Sequence, residues 1–282
     1  MLKNPTKLVL PNMVQSFNNN NSIFQNALAV KIPETPNLEE TVMAIKIRDY
    51  NASIGTLEGP HCDICNDKGC VMGIDDNGFE KITECSCMTK RNNLLRAKRS
   101  GMGELLKKSL DNYIVTDEWQ NKAVAKARNY MERATDHWYA MTGQSGSGKT
   151  HICAAIANHF IAQGKKVIYM PWNLTVKELK LKAKDDYISI LRQYVDTDVL
   201  YIDDFFKGKI TDADITIAFE LINSRAISPH MITILSSELS LEDIREIDEA
   251  ISGRIKEKCG PYAIHINPDP SRNYRFKVDT EL

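Results

Sequence analysis

The sequence predicts an α/β layer fold built on a central parallel sheet flanked by helices. Two observations carry that expectation. From about Tyr113 onward, short apolar runs alternate with stretches of helical periodicity. At the first junction, His137-Trp138-Tyr139-Ala140-Met141-Thr142 leads into Gly143-Gln144-Ser145-Gly146-Ser147-Gly148-Lys149-Thr150 and then into a helical pattern reaching Gln163. The eight central residues match the spacing G-x-x-x-x-G-K-[ST]. A strand, a glycine-rich turn and a helix start in that order form a phosphate cradle, because backbone N–H groups and the helix N-terminus converge on one anion.

The elements follow in order. Trp119, Ala123, Ala127, Tyr130 and Ala134 recur at helical spacing ahead of the first strand. After the loop, the helix carries Ile152, Ala155, Ile156, His159 and Phe160 on one face and ends at Gly164. Residues 166–170 read as a second strand. Helical patterns at 174–183 and 187–195 precede Val199-Leu200-Tyr201-Ile202, a buried strand ending in Asp203-Asp204. The next helix has Ile215, Ala218, Phe219, Ile222 and Ala226 on one face. A strand at 231–235 ends in Ser236-Ser237-Glu238, two short helices follow, and residues 262–266 form the fifth strand.

The strand ends suggest chemistry. Lys149 would reach the β- and γ-phosphates, and the Thr150 hydroxyl would share a Mg²⁺ ion with Asp203. Asp204 would polarise an attacking water. The alternative is that Asp203-Asp204 only caps the following turn.

Of seven cysteines, Cys62, Cys65, Cys70, Cys85 and Cys87 fall in one short segment, whereas Cys153 and Cys259 sit in apolar surroundings and read as buried thiols. Cys62-x-x-Cys65 and Cys85-x-Cys87 offer four thiolates in two close pairs, which suits tetrahedral Zn²⁺. Cys70 or His61 could replace one ligand, and free thiols or a redox pair are the alternative. Gly69, Gly73 and residues 75–78 read as a hairpin or knuckle too short to build much core, so metal would supply its folding free energy.

The chain of 282 residues is 43% hydrophobic and 26% charged, with room for more than one domain. Residues 1–60, with an asparagine tract at 18–21 and Pro33 and Pro36, read as a flexible arm carrying one short helix around 38–50. Residues 61–90 form the zinc module, 91–112 a basic helical linker, and 113–282 the nucleotide-binding domain. Lys90, Arg91, Arg96, Lys98, Arg99, Lys107 and Lys108 surround a single acid, Glu104. They form either a solvated face or a salt-sensitive surface for single-stranded DNA. No apolar run approaches the roughly 20 residues of a membrane span. Leu8-Val9-Leu10, stopped by Pro11, is too short for a secretory segment, so a cytoplasmic protein with no membrane partner is expected.

Taken together, Gly143 to His151, Tyr201-Ile202-Asp203-Asp204, Ile234-Leu235-Ser236-Ser237-Glu238-Leu239, Asp248-Glu249-Ala250-Ile251-Ser252-Gly253-Arg254-Ile255 and Asn273-Tyr274-Arg275 resemble an AAA+ ATPase. More narrowly they resemble the DnaC/DnaI-type replicative helicase loaders, their phage relatives and the IstB-like ATPases. The resemblance implies ATP held by Gly143, Gln144, Ser145, Gly146, Ser147, Gly148, Lys149, Thr150 and His151. It implies a γ-phosphate sensor at Ser236 or Ser237, an arginine finger at Arg254 for a neighbouring subunit, and a second sensor at Arg275, with Arg272 as its rival. It also implies a zinc module ahead of the ATPase, a helicase bound through the amino-terminal region, single-stranded DNA, and self-association through the AAA+ domains. A bacterial cytosol or phage-infected host would be the setting. Two departures stand out. Asp204 replaces the usual glutamate, and Glu238 stands where relatives carry asparagine. Both fit a slow switch. The alternatives are a transposase-assisting ATPase of the IstB kind, a non-hydrolysing adaptor, and a small-molecule P-loop kinase.

Overall fold

The computed structural model describes residues 42–133 and 137–276, in two units divided between Met88 and Thr89. The asparagine tract, the rest of the arm to residue 41, Ala134 and residues 277–282 lie outside the described residues.

In the first unit, helix α1 (Val42–Ala52) precedes an antiparallel hairpin of β1 (Cys70–Ile74) and β2 (Glu80–Glu84). The hairpin turns where the Asp75 carboxylate accepts the amides of Asn77 and Phe79, both at 2.9 Å, and Gly78 takes a φ of 84°. Asn51 at the end of α1 bonds both backbone groups of Met72, at 2.9 and 3.0 Å, and so ties helix to hairpin.

Helix α2 (Cys87–Ala97) follows, then two irregular helical turns and α3 (Glu118–Arg133). The second unit alternates β3 (Tyr139–Gly143), α4 (Lys149–Ala162), β4 (Val167–Pro171), α5 (Trp172–Lys180), α6 (Lys184–Val195), β5 (Val199–Asp203), α7 (Asp212–Ile227), β6 (Ile232–Ser237), α8 (Leu241–Ile247), α9 (Glu249–Cys259) and β7 (Ala263–Ile266). All five of these strands run parallel in the order β4-β5-β6-β3-β7, which places the carboxyl ends of β3, β5 and β6 along one rim. Ligands of open parallel sheets bind at such a rim.

Period-two alternation divides the core between the sheet faces. Tyr139, Met141, Tyr201 and Ile234 pack with α3 and α4, while Trp138, Ala140, Leu200, Ile202 and Leu235 pack with residues of α5, α7, α8 and α9. The three inner strands are buried throughout, which is why they read as unbroken apolar runs.

Two helices differ in detail from the sequence reading. The single apolar face expected on α4 is instead burial of nearly every position from Ile152 to Ile161, because the sheet, α3 and the turn at 103–107 enclose it. Ala218, Ile222 and Ala226 are buried as expected, but Phe219 faces outward at 39% exposure, and the buried face of α7 gains a stripe through Asp214, Ile217, Leu221 and Arg225. Polar residues inside that stripe concealed it. Arg225 is fully buried, and its guanidinium donates to the carbonyls of Tyr194, Val195 and Thr197 at 2.8–2.9 Å, closing the C-terminus of α6. It also donates to Ile232 O and Thr233 Oγ1. Burial brings its pKa down to about 9, so the group is still charged at neutral pH.

The expected basic linker packs onto the parallel-sheet part of the second unit. Asn158 donates to Leu105 O and Lys108 O at 2.8 and 2.7 Å, and Ser100 Oγ accepts from the Tyr169 amide at 3.0 Å. Arg91 is buried at 4% exposure and takes no part in a solvated basic face.

Candidate functional site

Gly143 ends β3 with a φ of 100°, and a Cβ there would lie 2.1 Å from Ile266 O. Gly146 has a φ of 71°, and a Cβ there would meet Asn273 Oδ1 at 2.0 Å. Both positions therefore need glycine, for backbone conformation and for close approach. The residues after β7 pack along the loop. Gln144 N donates to Ile266 O at 3.0 Å, Asp269 N to Gln144 Oε1 at 3.1 Å, and Tyr274 N to Gly146 O at 3.0 Å.

Helix α4 starts at Lys149, so its free amides open toward the loop. The Lys149 ammonium donates to Gly143 O and Gln144 O, each at 2.7 Å. Burial lowers its pKa, against the charges of Glu238 and Asp204.

Four hydroxyls converge on the Asp203 carboxylate, which is 7% exposed: Thr150 at 3.1 Å, Tyr201 at 2.9 Å, Tyr169 at 3.0 Å, and Ser236. Burial and the Asp203 charge push the Tyr169 and Tyr201 hydroxyls upward, which keeps them protonated donors. Sequence reading missed both tyrosines. Tyr201 had a local signal, two residues before Asp203 on one face of β5, whereas Tyr169 on β4 is brought in only by its register opposite Tyr201.

Ser236 also accepts the Asp204 amide at 3.0 Å, whereas the Ser237 hydroxyl donates to Phe205 O at 2.7 Å and accepts the Leu239 amide at 3.1 Å. Of the two sensor candidates, Ser236 is the one touching the strand-end carboxylate. Asp204 has a φ of 56° and pairs with Lys207 at 3.2 Å. Lys207 also reaches Glu238 Oε1 at 3.0 Å. Burial acts against the Glu238 carboxylate, yet hydrogen bonds from Ser145 and Lys207 hold its pKa below the ordinary value.

Of these groups Lys149, Thr150, Asp204, Lys207 and Glu238 line a cleft of about 430 Å³, while Asp203 and Ser236 are not among its lining residues. It is lined by the loop from Ser145 to His151, by Asp204, Lys207, Glu238 and Arg275, and by Lys108, Asn112, Tyr113 and Ile114. The last four were not foreseen. Tyr113 donates to Ser147 O at 3.1 Å and stacks edge-on against His151, whose Nε2 lies 2.9 Å from both Ser109 O and Asn112 Oδ1. Arg272 turns away to Asn267 O at 3.0 Å, which leaves Arg275 in the cleft. Arg254 sits on α9 and is not among the cleft-lining residues.

In the first unit, Cys62, Cys65, Cys85 and Cys87 bring their sulfurs within 4.8 Å of one another. Two of the pairs measure 3.8 Å (Cys62–Cys85) and 3.5 Å (Cys65–Cys87). A zinc ion with bonds of about 2.3 Å needs tetrahedral edges of about 3.8 Å, so the donor set fits. Gly69 donates its amide to Cys65 Sγ at 3.3 Å and accepts the Cys85 amide at 2.8 Å. Burial alone would raise the Cys65 thiol, but that amide and the neighbouring sulfurs bring it down to about 7. The other two ligand candidates stand outside the cluster. Cys70 pairs with the Tyr50 hydroxyl at 2.9 Å, and His61 is taken by Asp67 and Asp63 at 2.7 and 3.1 Å. Cys153 and Cys259 are buried in the core, and burial pushes both thiols up. No helix among the described residues is long and apolar enough to cross a membrane.

The family model described as IstB-like ATP binding protein matches residues 87–257. Phage-like element PBSX protein XkdC of Bacillus subtilis (strain 168) is 32% identical over 225 residues, which is 73% of this chain and 82% of that protein. Replicative helicase loader DnaC of Escherichia coli (strain K12) is 26% identical over 168 residues, 56% of this chain and 67% of that protein. Among solved structures, DnaI superposes with a TM-score of 0.49 at 20% identity, over 58% of this chain and 93% of that one.

Proposed function

The chain belongs to the IstB-like ATP-binding family, and from that premise we propose that it is a Mg²⁺-dependent ATPase switch that loads a replicative helicase onto single-stranded DNA. The observation that carries the reading is the 3.1 Å contact between Thr150 and Asp203 beside the loop lysine. It joins two hard oxygen donors where a nucleotide-bound magnesium would be held. Bound magnesium would neutralise phosphate charge during transfer.

The chain's own residues divide the work. The loop amides and Lys149 bind the phosphates, and Lys149 exchanges its loop carbonyls for phosphate oxygens as it does so. Tyr113 and Ile114 offer the base an apolar wall. Asp204 orients the water, Ser236 links it to Asp203, and Arg275 contacts the terminal phosphate. Arg254, outside the cleft, acts on the ATP of a neighbouring subunit in an assembly of like chains. Cys62, Cys65, Cys85 and Cys87 hold zinc, and the amino-terminal region containing them engages the helicase in the bacterial cytosol. Similarity to a replicative helicase loader supports this last assignment.

The test uses the full chain with a replicative helicase and single-stranded DNA. ATP should increase helicase retained on DNA, and phosphate release should rise with assembly. Lys149→Ala should lose both, with ATP affinity reduced about 100-fold. Helicase retention indifferent to nucleotide and to Lys149 would contradict the proposal. Nucleotide binding with no phosphate release under any condition would favour the non-hydrolysing adaptor, and stimulation by a transposase alone would favour the transposition reading.

A further inference from the structure

Two carboxylates, Asp204 and Glu238, line the cleft together with the phosphate loop. Left alone they would oppose the most highly charged end of a nucleoside triphosphate. Lys207 stands between them, its ammonium 3.2 Å from Asp204 Oδ2 and 3.0 Å from Glu238 Oε1.

The backbone that presents Lys207 is fixed. Asp204 and Phe206 take left-handed φ values of 56° and 58°, a conformation that persists only where the surroundings enforce it. Here they do. Asp204 N donates to Ser236 Oγ at 3.0 Å, Phe205 N to Ser236 O at 2.8 Å, and Lys207 N to Asp204 O at 3.1 Å. The rings of Phe205 and Phe206 lie 4.7 and 5.4 Å from Trp172 and are buried. The Lys207 side chain is 38% exposed, so its ammonium meets both acids at the solvent-accessible edge of that rigid base.

We propose that Lys207 admits the terminal phosphate to this cleft. It offsets half the charge of Asp204 and Glu238 and holds the Asp204 carboxylate, which makes it a positioning residue for triphosphate over diphosphate. The proposal rests on the ATP-site reading above and deepens it. The arithmetic of formal charge is simple. Asp204 and Glu238 bring −2, and Lys207 reduces this to −1. Lys149 is directed to the loop carbonyls and supplies no ion pair to either acid. A diphosphate lacks the group that would approach the acidic wall, so its binding is insensitive to that wall. The arrangement also accounts for an acid at position 238, where a bare carboxylate would repel the nucleotide. Glu238 accepts from Ser145 and Lys207 and so braces the loop.

The experiment titrates the full chain, with Mg²⁺ present, using ADP and the β,γ-imido analogue of ATP. Lys207→Met should weaken the triphosphate analogue about tenfold or more, about 1.4 kcal/mol, while ADP affinity stays within about twofold. Unchanged ADP binding also shows that the variant is folded. Lys207→Arg should behave as the parent. The double variant Lys207→Met with Glu238→Gln should regain most of the lost affinity, because the uncompensated acid is gone. Equal loss for both nucleotides, no loss, or no recovery in the double variant would overturn the role of Lys207. Failure of the underlying site reads differently: the parent chain would bind neither nucleotide, or Lys149→Ala would bind both as the parent does.

Discussion

Stripping metal from the full chain with a chelator is expected to unfold the cysteine segment, residues 61–88, and to leave the Thr89–Leu282 unit folded. The hairpin has two strands of five residues, and a two-stranded hairpin alone is marginal in water. Its buried apolar residues are few, chiefly Cys65, Met72 and Cys85, while Ile64, Phe79 and Ile82 remain exposed. A zinc ion held by the four thiolates would therefore supply most of the stabilisation. Structural zinc contributes about 10–16 kcal/mol in small domains. Hydrogen exchange should rise across 61–88 after chelation and stay low across α4 and β5. Elemental analysis should find zinc in the parent chain and none in Cys65→Ser. Unchanged exchange after complete metal removal would show that the hairpin folds by itself.

Arg225→Met should cost about 3–5 kcal/mol of stability in the ATP-binding unit, read from denaturant unfolding monitored within that unit. The side chain makes five hydrogen bonds from a fully buried position, three of them to carbonyls at the end of α6. Methionine fills most of the volume but leaves those acceptors unpaired, and the desolvation penalty of each is incurred in full. The favourable placement of a cation at a helix C-terminus is lost as well. Arg225→Lys should be intermediate, since a point charge cannot reproduce the planar fork. A loss below about 1 kcal/mol for Arg225→Met would mean the acceptors find other partners.

These two cases mark what the sequence could and could not reveal. The phosphate loop, the strand-end aspartates and the paired cysteines are contiguous patterns, so spacing alone located them. Parallel strands buried on both faces were equally plain, because each is an unbroken apolar run. What stayed hidden are contacts between distant segments. Tyr169 donates to Asp203 only because β4 and β5 pair in that register, whereas Tyr201 reaches it from two residues upstream on β5 itself. The wall at 108–114 reads as part of a basic stretch until Asn158 and His151 anchor it. Lys207 looks like a solvated lysine after a strand until Glu238, thirty-one positions later, is brought to it. Arg225 was passed over because a charge at an inward helical position breaks the apolar stripe used to find that face. The serine pair at the end of β6 was visible in the sequence, but only the structure separates its members: Ser236 touches Asp203, and Ser237 serves the Phe205 turn.

The central claim is that a triphosphate and its magnesium are held between the loop and the end of β5. Its most direct test is calorimetric titration of ATP into the full chain with Mg²⁺, repeated with a chelator and with Asp203→Asn. Saturable binding is predicted for the parent with Mg²⁺, and it should weaken about tenfold or more when either the ion or the Asp203 charge is removed. Absence of saturable heat in the parent, or identical affinity in all three titrations, would contradict it.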